Sequence, residues 1–189
     1  MKQARTLTKS EIAQVVTHAA THRGGERDRA IFQLAFATGM RACELASITV
    51  GHIRDDQGKV LPEVMLEPED TKGSKHGRIF LSTKVQKEMQ FYLDTCHRVS
   101  KDSAPLFPSE RRQPFSANTM TKLMIRTLAE CGLKNATSHT PRRTLITNLA
   151  NKAISIKVIS TIARHSNVST TSRYISVNDD QMRAAINMV

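Results

Sequence analysis

The chain has no tryptophan, two tyrosines and only 4% aromatic residues among its 189. A core so short of aromatics has to be built from aliphatic side chains, so each tyrosine calls for a reason. Cys43, Cys96 and Cys131 are odd in number, widely spaced and without a C-x-x-C pair, which speaks against a disulfide framework and a cysteine-based zinc site. No run approaches the roughly 18 apolar residues of a membrane-spanning helix, and the opening MKQARTLTKSE carries no apolar secretion segment. The expectation is a cytoplasmic protein with no membrane partner. There is also no H-E-x-x-H, no paired-carboxylate cluster and no G-x-x-x-x-G-K-[ST] loop. Neither a metal-dependent nuclease nor a P-loop ATPase is indicated, and no cofactor or metal is expected.

Positive charge is what the chain has in excess: 28 Lys and Arg stand against 17 Asp and Glu, a net +11. That balance favours a polyanionic partner, whether DNA, RNA or an acidic membrane surface, and by itself equally fits a basic ribosome-associated protein. The length suits one core and one domain, residues 1–189.

Local patterns give a mainly helical chain with one small antiparallel β-hairpin. Thr8 and Glu11 form a capping box opening a helix to about residue 21. GGERDRAIFQLAFATG reads as a second helix with Ile31, Leu34 and Ala35 on one face and Gly39 as a left-handed stop. A short helix over 41–48 sets Arg41 and Glu44 one turn apart, an arrangement more often a surface ion pair than an anion clamp. KVLPEVMLEP and GRIFLS have β character and are joined by a polar, glycine-bearing turn. Val85, Met89, Tyr92 and Cys96 recur at helical spacing, which assigns Tyr92 to a buried stripe. DSAPLFPSERRQPF reads as a proline-rich surface connection, after which Ser116 caps a helix ending at Gly132. Thr140 and Pro141 suit a cap and first helical position, and a helix at 155–163 turns Val158, Ile159 and Ile162 inward. Met182, Ala185, Ile186 and Val189 form a C-terminal stripe over 178–189 that needs a surface to cover it, its own core or a neighbour's.

One assembly of polar residues gives the second tyrosine a purpose. An oxygen attacking a phosphodiester in line builds negative charge on the non-bridging oxygens, which fixed donors must face. Arginine suits this, being always charged and able to bind two phosphate oxygens at once. A tyrosine is able to form a covalent phosphoprotein once its proton is removed, and a lysine in a hairpin is placed to protonate the departing sugar oxygen.

ATGMRACEL, TKGSKHGRIFL, HTPRR and ARHSNVSTTSRY, in that order, resemble the four boxes of the tyrosine recombinases, also called phage integrases. His165 lies 23 positions after Arg142, and Tyr174 nine after His165. The resemblance runs from about Leu7 to Tyr174 and implies that family's catalytic-domain fold. It further implies a site-specific DNA recombinase working through a 3′-phosphotyrosine without metal or ATP. By that resemblance Tyr174 is the nucleophile, Arg41, Arg142 and His165 stabilise the transition state, His139 assists the tyrosine, and Lys72, with Lys75 in reserve, is the general acid. Arg143, Lys75, Arg164 and Arg173 are the expected DNA contacts, and whether Arg142 or Arg143 faces the phosphate is open. Arg164 stands where the family commonly has glycine, and Pro141 where leucine is usual.

Most family members place a helical clamping domain before the catalytic one, whereas only about seven residues precede the first helix here. The chain thus resembles the short fimbrial phase-variation recombinases and compact mobile-element integrases, and weaker DNA affinity with a shallower salt dependence is expected. The implied partners are double-stranded DNA and further copies of the chain, a monomer when free and a tetramer on DNA, with segment 178–189 docking on a neighbouring subunit. An accessory DNA-bending protein or a full-length recombinase is a further implied partner. The alternatives are a catalytically silent DNA-binding regulator and a topoisomerase IB-like relaxing enzyme.

Overall fold

A computed structural model describes residues 4–67, 77–95, 101–174, 182–183 and 186–187. The first helix, α1 (Lys9–Ala19), opens on the capping box read from the sequence, with the Glu11 amide donating to Thr8 and the Thr8 amide to Glu11. Next comes α2 (Gly25–Thr38), whose Ala30, Ile31, Phe32, Leu34 and Ala35 are all buried. A helix apolar on so much of its circumference belongs in the middle of a domain, and α2 packs against α1, α5 (Thr83–Thr95) and α7 (Thr140–Asn151). It ends at Gly39, φ +64°, in the left-handed stop expected there.

Two short helices, α3 (Ala42–Ser47) and α4 (Val50–Ile53), follow, the second of which the sequence pattern does not reveal. The hairpin is β1 (Glu63–Leu66) paired antiparallel to β2 (Gly77–Phe80), with Val64 opposite Ile79. Val64, Leu66 and Ile79 face the core, while Met65 and Phe80 are exposed. The turn carrying Lys72 and Lys75 lies outside the described residues.

Tyr92 on α5 is buried as expected, its hydroxyl donating to the Leu106 carbonyl at 3.0 Å. That acceptor corrects the reading of DSAPLFPSERRQPF as a surface connection. Leu106 and Phe107 are fully buried, and the segment is held by Val50 N to Ala104 O and Leu106 N to Ile48 O, both 2.9 Å. Prolines mask the signal because they break the periodicity by which a buried segment is recognised.

The chain continues through α6 (Ala117–Glu130), capped by Ser116, to α7, α8 (Ile156–Ile162) and α9 (Val168–Ser172). His139, not Thr140, is the N-cap of α7. The Thr140 hydroxyl accepts from the Thr137 amide at 2.9 Å, and Pro141 fills the second helical position, where an amide is also dispensable. On α8 only Ile159 of the expected trio is fully buried, and Val158 is exposed. Ile146, Ile159 and Ala163 form a small core apart from the main one, against which Tyr174 packs. Of the segment 178–189, Met182 and Ile186 are described and exposed, and the rest lies outside the described residues. No described helix is long and apolar enough to cross a membrane.

Candidate active site

Arg41 is the N-cap of α3, directly after the turn that Gly39 makes possible. A Cβ at Gly39 would lie 3.1 Å from Leu145 Cδ2 and 3.5 Å from Arg142 Cγ, so the missing side chain lets the end of α2 rest on α7 beside Arg142. Arg142 is buried, its Nη1 donating to the Gly39 carbonyl at 2.9 Å and its Nη2 to the Ala163 carbonyl. The guanidinium thus joins the ends of α2 and α8. Burial first, then the charges of Arg41 and Arg164, push its pKa down to about 9, while the charge of Glu44 works the other way.

The negative charge these cations do share is Glu44. Its carboxylate is fully buried and accepts from the Arg41 amide at 2.8 Å, Arg41 Nη1 at 2.8 Å and Arg164 Nη2 at 2.7 Å. Burial raises the pKa of a carboxyl, but Arg164, the Arg41 amide and the Arg41 charge outweigh it and hold Glu44 below its ordinary value. The pair read from spacing as a surface contact is therefore an interior one.

Arg164 departs from the expectation of an outward DNA contact. Its side chain is only 11% exposed and turns inward to Glu44. Its φ is +53°, a left-handed conformation that costs a non-glycine residue about 1–3 kcal/mol. This explains why glycine is usual at the position. The backbone shape is retained here, and the added side chain is anchored by an ion pair.

His165 follows, half-buried, with Nδ1 2.8 Å from the hydroxyl of the fully buried Thr171. That contact fixes the ring and leaves Nε2 available. Burial, then the charges of Arg142, Arg41 and Arg164, push its pKa down to about 4. The Tyr174 ring lies parallel to the imidazole, centroids 5.8 Å apart at 19°, with the Arg143 guanidinium 5.4 Å from the Tyr174 centroid. The Tyr174 carbonyl accepts from the Thr147 hydroxyl at 3.4 Å. Tyr174 thus begins where α9 ends, half-buried between α7 and the His165 ring.

Three stretches far apart in sequence therefore meet: Arg41, Arg142 with its neighbour Arg143, and the segment carrying Arg164, His165 and Tyr174. His139 stands one turn before Arg142, exposed, and Arg173 is exposed at the C-cap of α9. Two residues of the site escape a reading of single boxes. Glu44 was visible as the fourth position of R-x-x-E but not as a buried counter-ion, and Thr171 is one hydroxyl among several in NVSTTS.

The depressed His165 pKa has a definite consequence for pH. Folded near 4 against about 6.5 unfolded, the imidazole binds protons more readily in the unfolded chain across that window. Its contribution to stability is complete above about pH 6.5 and is lost as pH falls through 4. NMR titration of the free protein should show the His165 ring still neutral at pH 6, and a phosphate-bearing duplex should raise its pKa by offsetting the arginine charges. A ring titrating at 6.5 or above in the free protein contradicts this electrostatic picture.

The model of the phage integrase family matches residues 5–181. Tyrosine recombinase XerC of Caldanaerobacter subterraneus is 32% identical over 166 residues, which cover 86% of this chain and 44% of that protein. The crystal structure of XerA recombinase is similar to the whole of this chain, with a TM-score of 0.78 and 24% identity, over 64% of its own length. That of XerH site-specific recombinase bound to difH substrate has a TM-score of 0.72 at 16% identity, covering 98% of this chain and 55% of that one. At such identities the two structures speak for the fold alone. The chain spans about half the length of the curated relatives it matches. With three of the four boxes brought to one place and the family model covering nearly every residue, the chain belongs to the phage integrase family.

Proposed function

We propose that this chain breaks and rejoins DNA at specific sites through a covalent 3′-phosphotyrosine, with Tyr174 as the nucleophile. The observation that carries the reading is the meeting of Tyr174, stacked on His165, with the buried Arg142, whose charge is opposed by burial and by two neighbouring arginines. A scissile phosphate is the group that supplies compensating negative charge. The Tn1549 transposon integrase, similar in fold, is in complex with circular intermediate DNA, which supports DNA as partner. The relatives are named site-specific tyrosine recombinases, which favours neither a silent regulator nor a relaxing enzyme.

In the proposed step the Tyr174 phenolic oxygen attacks phosphorus, the phosphorus bond to the 5′ oxygen breaks, and the phosphoryl group stays esterified on the enzyme. The phenolic proton passes to His139 or to neutral His165, and Lys72, or Lys75, supplies one to the 5′ oxygen. Arg41 and Arg142 face the non-bridging oxygens. Between the two arginines of HTPRR, geometry favours Arg142 for this role, since Arg143 lies over the Tyr174 ring and suits positioning it. The energy of the ester is kept in the tyrosine linkage, so a 5′ hydroxyl from another strand reverses the step without ATP. Arg173 and Arg143 contribute phosphate contacts, and the work takes place in the cytoplasm. A tetramer on DNA, joined through segment 178–189, fits the exposure of Met182 and Ile186.

The test is formation of a covalent adduct on a nicked suicide duplex carrying the chain's recombination site, with a free 5′ hydroxyl as second product. Arg142→Lys keeps a positive charge but loses the planar fork, and should slow adduct formation about 10²–10³-fold. An Arg142→Lys enzyme cleaving at the parent rate removes Arg142 from the transition state.

A further inference from the structure

Away from the arginine cluster, three potential ligands converge where α1 and α6 end. His18 Nε2 lies 3.2 Å and His22 Nε2 3.7 Å from the same oxygen, Glu130 Oε2, and all three ligand atoms fall within 4.8 Å of one another. His18 is in the last turn of α1, His22 is four residues on, and Glu130 is the last residue of α6.

The hydrogen bonds assign the tautomer of His22. The Thr21 hydroxyl has one proton and donates it to the His18 carbonyl at 2.8 Å. Its 3.3 Å contact with His22 Nδ1 must then have the nitrogen donating. In a neutral ring that places the proton on Nδ1 and leaves Nε2 with a lone pair on the side of the carboxylate oxygen. A cation between His22 Nε2 and Glu130 Oε2 would satisfy both lone pairs, and His18 Nε2, 3.2 Å from the same oxygen, is close enough to join it. Metal-binding histidines are held in this way, donating through the far nitrogen to an outer oxygen.

We infer that His18, His22 and Glu130 form a site for a borderline divalent transition metal such as Zn2+, bracing α1 against α6. Two imidazoles and a carboxylate, with water as fourth ligand, are a donor set this class of ion accepts. Ligands about 2.0–2.1 Å from a tetrahedral ion sit about 3.3–3.4 Å apart; the two separations to Glu130 bracket that edge, and the three atoms, within 4.8 Å of one another, close on an ion by drawing the exposed side chains together. Field direction agrees as well. The ends of α1 and α6 are both negative dipole poles, where Glu130 is unfavourable by itself and a cation is favourable. The competing cation is Arg126, 3.7 Å from the other oxygen of Glu130, which leaves Oε2 to the metal. The site shares no residue with the proposed catalytic group.

The test is Zn2+ titrated by calorimetry into chelator-treated protein, with thermal unfolding followed in parallel. One Zn2+ per chain should bind and Tm should rise with its concentration. His22→Ala and Glu130→Gln should each weaken binding by at least ~10-fold, the lower bound for disturbing even an outer partner of a ligand. Cys131→Ser should bind as the parent does, since the thiol is not a ligand. Absence of saturable binding, parent-like affinity in both ligand variants, or loss of binding in Cys131→Ser overturns the assignment. A proton shared between His22 and Glu130, in place of a metal, appears as the first of these results.

Discussion

Tyr174→Phe is expected to lower covalent protein–DNA adduct on a nicked suicide substrate by more than ~10⁴-fold, to background, because it deletes the only atom that forms the new bond. The remainder of the ring has a structural task that phenylalanine continues to perform. It packs against Ile146, Ile159 and Ala163, lies parallel to His165 and sits beneath Arg143. Tm should therefore stay close to the parent value. Duplex affinity should hold within a factor of ~3, since it rests on cations that meet phosphates rather than on one phenol. This separation of chemistry from binding is what distinguishes a nucleophile from a packing residue. An adduct that survives Tyr174→Phe would falsify the assignment.

Glu44→Gln is expected to cost about 3–5 kcal/mol of stability, the range for removing one partner of a buried ion pair. Gln keeps the shape and leaves Arg41, Arg142 and Arg164 close together around a neutral amide, where three positive charges repel in a low dielectric. Glu44 is fully buried and only the Arg41 side chain is appreciably exposed, so water screens them poorly. The buried Nε of Arg164, which has no partner among the described residues, adds to the cost that the carboxylate now offsets. Urea unfolding should show a lower midpoint at unchanged slope. Adding Arg164→Gly should recover part of the loss by removing one cation and relieving a left-handed φ of +53°. If the double variant is no more stable than Glu44→Gln alone, the Glu44–Arg164 contact contributes nothing and the electrostatic account of the cluster fails.

Much of the fold is legible in the sequence. Caps are local chemistry, so Thr8 with Glu11, Gly39 and Ser116 mark helix ends correctly from a few neighbouring residues. Alternation in GRIFLS and in EVML likewise marks the strands. The reading failed where burial is decided by distant chain. Leu106 and Phe107 sit among prolines and lack periodicity, yet hydrogen bonds to the stretch joining α3 and α4 carry them into the core. Val158 has helical spacing and stays exposed, because α8 is short and, of the expected trio, turns only Ile159 fully into the small core with Ile146 and Ala163.

The sequence by itself determined the types of functional group, their order along the chain and the chemistry they suit, since charge, nucleophilicity and capping belong to residues and near neighbours. Only the tertiary structure decided that Glu44 is an interior counter-ion, that Arg164 turns away from solvent, and that His165 stays neutral well below pH 6.5. The physical reason is that burial and electric field are sums over atoms close in space. Arg41 and Glu44 are neighbours at the start of α3, but Arg142 and Arg164 join them only once the ends of α2, α7 and α8 have come together.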